Sequence, residues 1–340
     1  MSQLRTNAIL DASGGNTATI NTVPLRPGVL DPENRIINGA FDFWQRGTSF
    51  TAFAYGADRW LNSLSGGTVT QSRQALTLGD TLGSNSPTYF LRQTVSGQST
   101  SGQYAITQQR IESVRSYAGQ TITILGWARR SSGSGNMAVE LVQDFGTGGS
   151  PSSEVLIASQ TVTLTGSFAP FAVTIAVPSI SGKTLGSNGN DFLACNFWTS
   201  AGSDYNARTN SLGLQTIGVD LWGIHIKQGT HTTSAVDLYR QPELGPELVR
   251  CQRYYYTSGS ALFEYRTYVS GVTAFYTPIC IPVQMRANPT LSTANVAFSN
   301  ATTAAVGGFS GGATSGFMQA TGSAAGMAQV ALSLRADAEL

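Results

Sequence analysis

Between Thr121 and Ile226 apolar side chains recur at every second position, in runs too short for anything but strands. Met137, Val139 and Leu141 alternate with Glu140 and Gln143. Val155 and Ile157, then Val162 and Leu164, then Phe171, Val173, Ile175 and Val177 repeat the pattern. A period of two puts one face of each run inward and the other outward, which is how an antiparallel sandwich is written. Gly-rich turns such as GTGGS at 146–150 and GSNGN at 186–190 close the runs about every ten residues. The predicted fold is all-β: a jelly-roll-like antiparallel sandwich over residues 36–245, preceded by an extended arm at 1–35 and followed by a smaller β domain at 246–340.

Charge is scarce. Asp, Glu, Lys and Arg make up 11% of the 340 residues, and the formal net charge is +1. A chain that keeps its outward positions polar with Ser, Thr, Gln and Asn is expected to be strand-rich. With no Lys/Arg cluster, and Lys183 and Lys227 isolated, nothing supplies the counterion release that drives nucleic-acid binding. No run is long and apolar enough to span a bilayer, so membrane insertion is not expected, and the opening MSQLRTNAIL carries no signal-peptide core. Synthesis in a reducing cytoplasm is expected. Cys195, Cys251 and Cys280 show no metal-ligand spacing and are expected as buried free thiols, with no metal or cofactor.

In the arm, Pro24, Pro27 and Pro32 forbid a helix or a central strand, so it gains order most easily on a neighbouring subunit or a larger particle. The stretch from Ile36 to Trp60 concentrates aromatic residues. Trp44 and Trp60 are expected as core anchors, the alternative being an aromatic platform for a sugar. Pro242 to Pro246 (PELGP) reads as a hinge, and Glu247 to Tyr256 as a short helical or extended connector. Pro278 and Pro282 point to an edge strand, while Ala301 to Ala325 is either mobile or packed backbone against backbone.

No nucleophile elbow, HExxH, Walker loop or dinucleotide fingerprint is present. His225 and His231 cannot make a His-rich metal site, and His225 is expected at a surface or interface rather than as a general base. Of the carboxylates, Asp220 next to Trp222 comes nearest to a sugar-processing arrangement, but no spacing argues for the pair that glycoside hydrolysis uses. Binding fits better than catalysis. Trp127, Trp198 and Trp222 have polar neighbours that suit sugar recognition, and these three with Asp220 are the predicted ligand contacts. The alternative for each ring is burial in the core.

The segments INGAFDFWQRG (Ile37 to Gly47) and YGADRW (Tyr55 to Trp60) resemble the opening of the carbohydrate-binding-module-like sandwich of tail fibre and appendage proteins of tailed bacteriophages. LRTNAILDASGGNTATIN (Leu4 to Asn21) is similar to the leader that precedes that domain. PELVRCQRYYYTSG (Pro246 to Gly259) resembles the junction that follows it, and PVQMRANPTLST (Pro282 to Thr293) the segment after that. In GIHIKQG (Gly223 to Gly229), Lys227 stands where the family pattern favours Glu. The resemblance implies a virion tail subunit, without catalysis or cofactor, that takes part in host-surface glycan recognition. Its partners would be copies of itself, as a homotrimer, other tail proteins held through the arm, and host polysaccharide. A structural tail adaptor, collar or decoration protein and a glycan-degrading tail enzyme are the alternatives. The resemblance also assigns Phe43, Trp44, Asp58, Arg59, Trp60, Cys251, Arg253, Tyr254 and Tyr255 to framework rather than ligand contact.

Overall fold

The computed structural model describes residues 34–260, 262–309 and 314–340, together with a short ladder between β1 (Thr19–Ile20) and β2 (Val23–Pro24). The arm expected over 1–35 otherwise lies outside the described residues up to 33.

Twelve strands then form two sheets: β3 (Ser49–Phe50), β4 (Ala54–Tyr55), β5 (Trp60–Ser65), β6 (Thr68–Ala75), β7 (Tyr89–Ser96), β8 (Tyr104–Glu112), β9 (Thr121–Gly133), β10 (Asn136–Asp144), β11 (Val155–Thr163), β12 (Ala169–Ala176), β13 (Phe192–Ala201) and β14 (Ile217–Gln228). One sheet runs β12-β9-β14-β7-β6-β3 and the other β11-β10-β13-β8-β5-β4, antiparallel throughout. The chain crosses repeatedly between sheets; the turn at Gly66–Gly67, both at positive φ, makes one such crossing. This is the jelly-roll-like sandwich that the alternation predicts. Ile122, Ile124, Phe171, Val173, Val219, Leu221, Ile224 and Ile226 of the first sheet pack against Met137, Val139, Leu141, Leu193, Cys195 and Phe197 of the second.

Strand β14 does not alternate cleanly. Its register shifts between Trp222 and His225, and Gly223 sits at φ +66°. The extra residue leaves Ile224 and Ile226 facing the core while Trp222 and His225 both face out, where strict alternation would put Trp222 on the face of the isoleucines. A Cβ on Gly223 would lie 2.8 Å from the Trp127 ring, so the bulge needs glycine for space as well as for φ. The outward face is itself covered. A 3₁₀ turn (Thr233–Leu238) and Tyr239 lie over Leu125, Trp127 and Trp222. His225, expected at a surface, is buried and stacked on Tyr239 at 4.8 Å.

The opening stretch is wedged into this frame. Ile36, Phe41, Trp44, Ala57 and Trp60 belong to the main core. Asn38, at positive φ, organises the stretch: its Nδ2 donates to the Phe43 and Asp58 carbonyls (2.9 and 3.1 Å), and its own carbonyl accepts from Trp60 Nε1 (3.0 Å). The Gly39 carbonyl accepts from Ile224 N at 3.0 Å beside the bulge.

A four-residue helix α1 (Asn206–Thr209) follows β13, and Pro242 to Pro246, read as a hinge, overlaps the first turn of a second helix, α2 (Leu244–Gln252). Glu247 and Cys251 of α2 are buried, and Glu247 accepts from the backbone N of Asn38. Beyond it, β15 (Tyr255–Thr257), β16 (Phe263–Val269), β17 (Ala274–Cys280), β18 (Thr290–Ser299), β19 (Ala301–Gly307), β20 (Ser315–Gly322) and β21 (Gly326–Asp337) enclose a second core of Val269, Ile279, Ile281, Met318, Val330, Leu332 and Leu334. β17 is an edge strand, as Pro278 requires. The low-charge stretch 301–325 contributes β19 and β20. Cys280 faces outward from β17, so the expectation of a buried thiol fails there, while Cys195 and Cys251 are buried. Burial pushes the Cys251 thiol well up, and that of Cys195 in the same direction.

The two units are joined by stacked cations. The Arg59 guanidinium lies 3.5 Å over the Tyr254 ring and that of Arg46 3.6 Å over Tyr255. Arg59 also pairs with Glu339, and Arg46 with Asp337 at 3.0 Å. Arg253 and the Tyr254 hydroxyl both donate to Glu112 (2.9 and 2.8 Å). Asp58 accepts from Gln45 while burial raises its pKa; burial lowers that of Arg59. Of the residues assigned to framework, Arg59 meets Tyr254 directly and Asp58 reaches the Tyr255 carbonyl through Gln45, Arg253 pairs with Glu112, Trp44 and Trp60 lie in the main core, the Phe43 carbonyl accepts from Asn38, and Cys251 is buried in α2.

Candidate functional site: a cleft over a buried carboxylate

Strand alternation puts Arg92 of β7, Asp220 of β14 and Arg129 of β9 in one row on the outer face of the first sheet, Asp220 being register partner to both arginines. Asp220 is fully buried. It accepts from Arg92 Nε at 2.6 Å and Nη2 at 2.8 Å, and from Arg129 Nε at 2.7 Å. The guanidinium side chains are 27% and 29% exposed, so the carboxylate lies beneath a pair of cations that reach solvent. Hydrogen bonding to Asp220 raises the pKa of Arg92.

Arg129, alone of this row, lines a cleft of about 320 Å³, together with Phe90, Phe168, Leu76, Thr77 and Asp80 among others. Phe90 and Phe168 meet edge to face at 5.4 Å. The Arg129 guanidinium lies 5.2 Å from the first ring and 4.4 Å from the second. Among the described residues Arg129 uses only its Nε for protein hydrogen bonds. The wall comes from the segment 76–88. Leu76 N donates to the Thr88 carbonyl (3.0 Å), and Asn85 Nδ2 to the Tyr239 carbonyl (3.1 Å), tying the wall to the cover of the same sheet. Asp80 at the rim accepts from Thr77 N at 3.2 Å, closing a tight turn.

The predicted ligand contacts are otherwise placed. Trp127, Trp198 and Trp222 are 3%, 1% and 0% exposed, and none presents a ring face to solvent. Trp127 and Trp222 pack on each other at 5.2 Å under Tyr239. Trp198 lies on the outer face of the second sheet, against Tyr104 and Tyr205, and donates its Nε1 to buried Glu140 at 2.9 Å. Apolar rings of this size at strand positions are retained inside because the elements over each sheet bury them; as ligand platforms they are corrected. Asp220 is central to the site, yet its partners are Arg92 and Arg129 rather than Trp222.

On the second sheet a polar relay runs across the strands. Arg208 donates to Glu140 (2.8 Å), Asn196 to Glu140 (2.9 Å), Gln108 to Asn196 (2.7 Å), and Arg110 to Gln108 (2.9 Å) and onward to the Leu340 carbonyl. Its groups satisfy one another. Among the described residues no group of His, Cys, Asp and Glu is arranged to hold a metal ion.

Sequence reading missed Arg92, Arg129, Phe90 and Phe168. Arg129 stands in the run TITILGWARR at an outward position, but which residues face it across β14 and β12 depends on registers the sequence does not spell out.

No protein-family model and no curated protein matches the chain. Among solved structures it is similar to the enzymatically active domain of tailspike protein 4 of bacteriophage CBA120: 15% identity over 58% of this chain, TM-score 0.33. The matched part spans 21% of that domain. It is also similar to a putative sugar-binding protein from Bacteroides thetaiotaomicron (11% identity, 58% of this chain and 100% of that one, TM-score 0.34). A xylan-binding domain from Paenibacillus barcinonensis is another neighbour (15% identity, 53% and 98%, TM-score 0.31).

Proposed function

We propose that this protein is a non-catalytic subunit of a bacteriophage tail fibre or appendage whose sandwich recognises glycans on the host surface. The cleft carries the recognition half of this reading. It offers the half-buried Phe168 ring, backed by buried Phe90, for the C–H face of a sugar, the Thr77 hydroxyl and the Arg129 guanidinium as hydrogen-bonding groups, and an Arg129 held from beneath by buried Asp220. The carboxylates support binding over hydrolysis. Asp220 lies buried outside the lining with both oxygens engaged by guanidinium groups, and Asp80 is the carboxylate on the cleft wall, itself engaged with Thr77; glycoside hydrolysis uses two disposed across the bond.

The tail half rests on the sequence resemblance, whose separate segments meet in the Arg59–Tyr254 and Arg46–Tyr255 contacts. A homotrimer fits the small unit: from residue 267 to 334 Arg286 is the only charged residue, and Tyr268 and Tyr276 are 70% and 56% exposed. Attachment to other tail proteins falls to the N-terminal arm.

The test uses the full chain against a panel of polysaccharides extracted from bacterial surfaces, with oligomer mass measured alongside by light scattering. Saturable binding that Phe168→Ala weakens at least several-fold supports the reading. A correctly assembled oligomer that binds none of them favours a structural adaptor, and release of reducing ends favours the tail enzyme.

A further inference from the structure

We propose that the cleft selects a saccharide carrying an acidic group, a carboxylate on a sugar ring, with Arg129 as the residue that reads it; this rests on the glycan-binding reading above. The row beneath the cleft holds two guanidinium groups against one carboxylate. Within the row that leaves one positive charge in excess, and Arg129 is the member that lines the cleft, opposite Asp80. Arg92 alone engages both oxygens of Asp220, through Nε and Nη2, so the triad does not need Arg129 to keep the buried carboxylate paired. Arg129 is instead held by one bond through its Nε and by the two phenylalanine rings, with both terminal nitrogens left without a protein partner among the described residues.

A guanidinium fixed in this way presents two parallel N–H donors, the geometry that a carboxylate accepts bidentately. Its rotamer is set before the ligand arrives, which lowers the ordering cost of binding. The rings beside it exclude water from one side of the contact and strengthen it. At the rim, Asp80 works in the opposite sense. It is exposed and engaged with Thr77 N, so it keeps its place in the turn and opposes an incoming anion. The cleft therefore has a positive floor and a negative rim, and an acidic sugar must enter with its carboxylate directed inward.

The experiment titrates the full chain with a glucuronic-acid-containing oligosaccharide and with the same oligosaccharide after reduction of its carboxyl groups to alcohols. The acidic form is expected to bind about tenfold or more tightly than the reduced form, the worth of one charge-assisted pair. Arg129→Gln brings that ratio toward one, while Asp80→Asn, which keeps an oxygen for Thr77 N, strengthens binding of the acidic form by about twofold to fivefold, the scale of one partly screened charge. Asp80→Asn lies on the exposed rim and secures the test if Arg129→Gln weakens the fold. Equal affinity for the two forms, both lowered by Phe168→Ala, overturns the acidic selection and leaves glycan binding standing. Binding of neither form, nor of any neutral oligosaccharide in the panel, overturns glycan recognition and the selection with it. A preference for the acidic form that survives Arg129→Gln overturns the role of Arg129.

Discussion

Removing both arginines from the Asp220 row is expected to cost far more than the two single losses together. Arg129→Gln deletes one bond, and Arg92 still spans both carboxylate oxygens. Arg92→Gln leaves Arg129 on Oδ2. Each single change should therefore cost about 1–1.5 kcal/mol after discounting for exposure, Arg92→Gln at the upper end because it removes two bonds and Arg129→Gln at the lower because it removes one. The double variant leaves a fully buried carboxylate with no cation, and breaking a buried pair this way costs about 3–5 kcal/mol. The excess over the sum, about 1–2 kcal/mol, is the coupling through the shared carboxylate. Adding Asp220→Asn to the double variant should recover about that excess, because no buried charge then remains. All five tryptophans (Trp44, Trp60, Trp127, Trp198 and Trp222) lie in the sandwich, so tryptophan fluorescence in urea follows that unit without contribution from residues 246–340. A double variant no less stable than the sum of its singles, or a triple variant with no recovery, would refute the reasoning.

Three other outcomes follow from the geometry. Under native conditions a thiol reagent should label Cys280 alone, with Cys195 and Cys251 reacting only after unfolding; mass spectrometry of native and denatured samples reads this directly. Gly223→Ala should lower stability by about 2 kcal/mol or more, from positive φ plus the approach to Trp127, and its urea midpoint shows whether the bulge demands glycine. Asp58 gives a pH signature. Its pKa is raised in the folded state, so the native form binds its proton more readily than the unfolded chain does, and stability falls as pH rises from the ordinary carboxylate value of 3.8 through the raised folded value. Asp58→Asn should flatten the stability profile in that window relative to the parent; an unchanged slope there would remove Asp58 as its source.

The sandwich was legible in the sequence because period-two alternation is a local property. Ile122 and Ile124 against Leu125 and Trp127 even announced that both faces of β9 are covered. What escaped was set by distance along the chain. The Gly223 bulge flips Trp222 away from Ile224 and Ile226, and its one local mark is an isolated glycine in an apolar run. Asp220 was singled out for its neighbour Trp222, yet its chemistry comes from Arg92 and Arg129, which lie 128 and 91 residues away. His225 and Cys280 failed in opposite directions. Tyr239 arrives from a later segment to cover the histidine, whereas the edge strand β17 leaves the cysteine's face uncovered.

The junction between the two units has a mechanical consequence. The small unit is fastened to the sandwich where its chain begins, at Tyr254 and Tyr255, and where its last strand ends, at Asp337, Glu339 and Leu340, with a further contact between them from Arg286 to the Gly189 carbonyl. A body fastened at one point swivels; fastened at two, it turns only if both give way together. Arg46 and Arg59 each serve both points, since each stacks on a tyrosine of the first and pairs with a carboxylate of the second. The joint is thus a weld rather than a pivot. A sideways load on the small unit passes into Arg46 and Arg59 as torque on the sandwich.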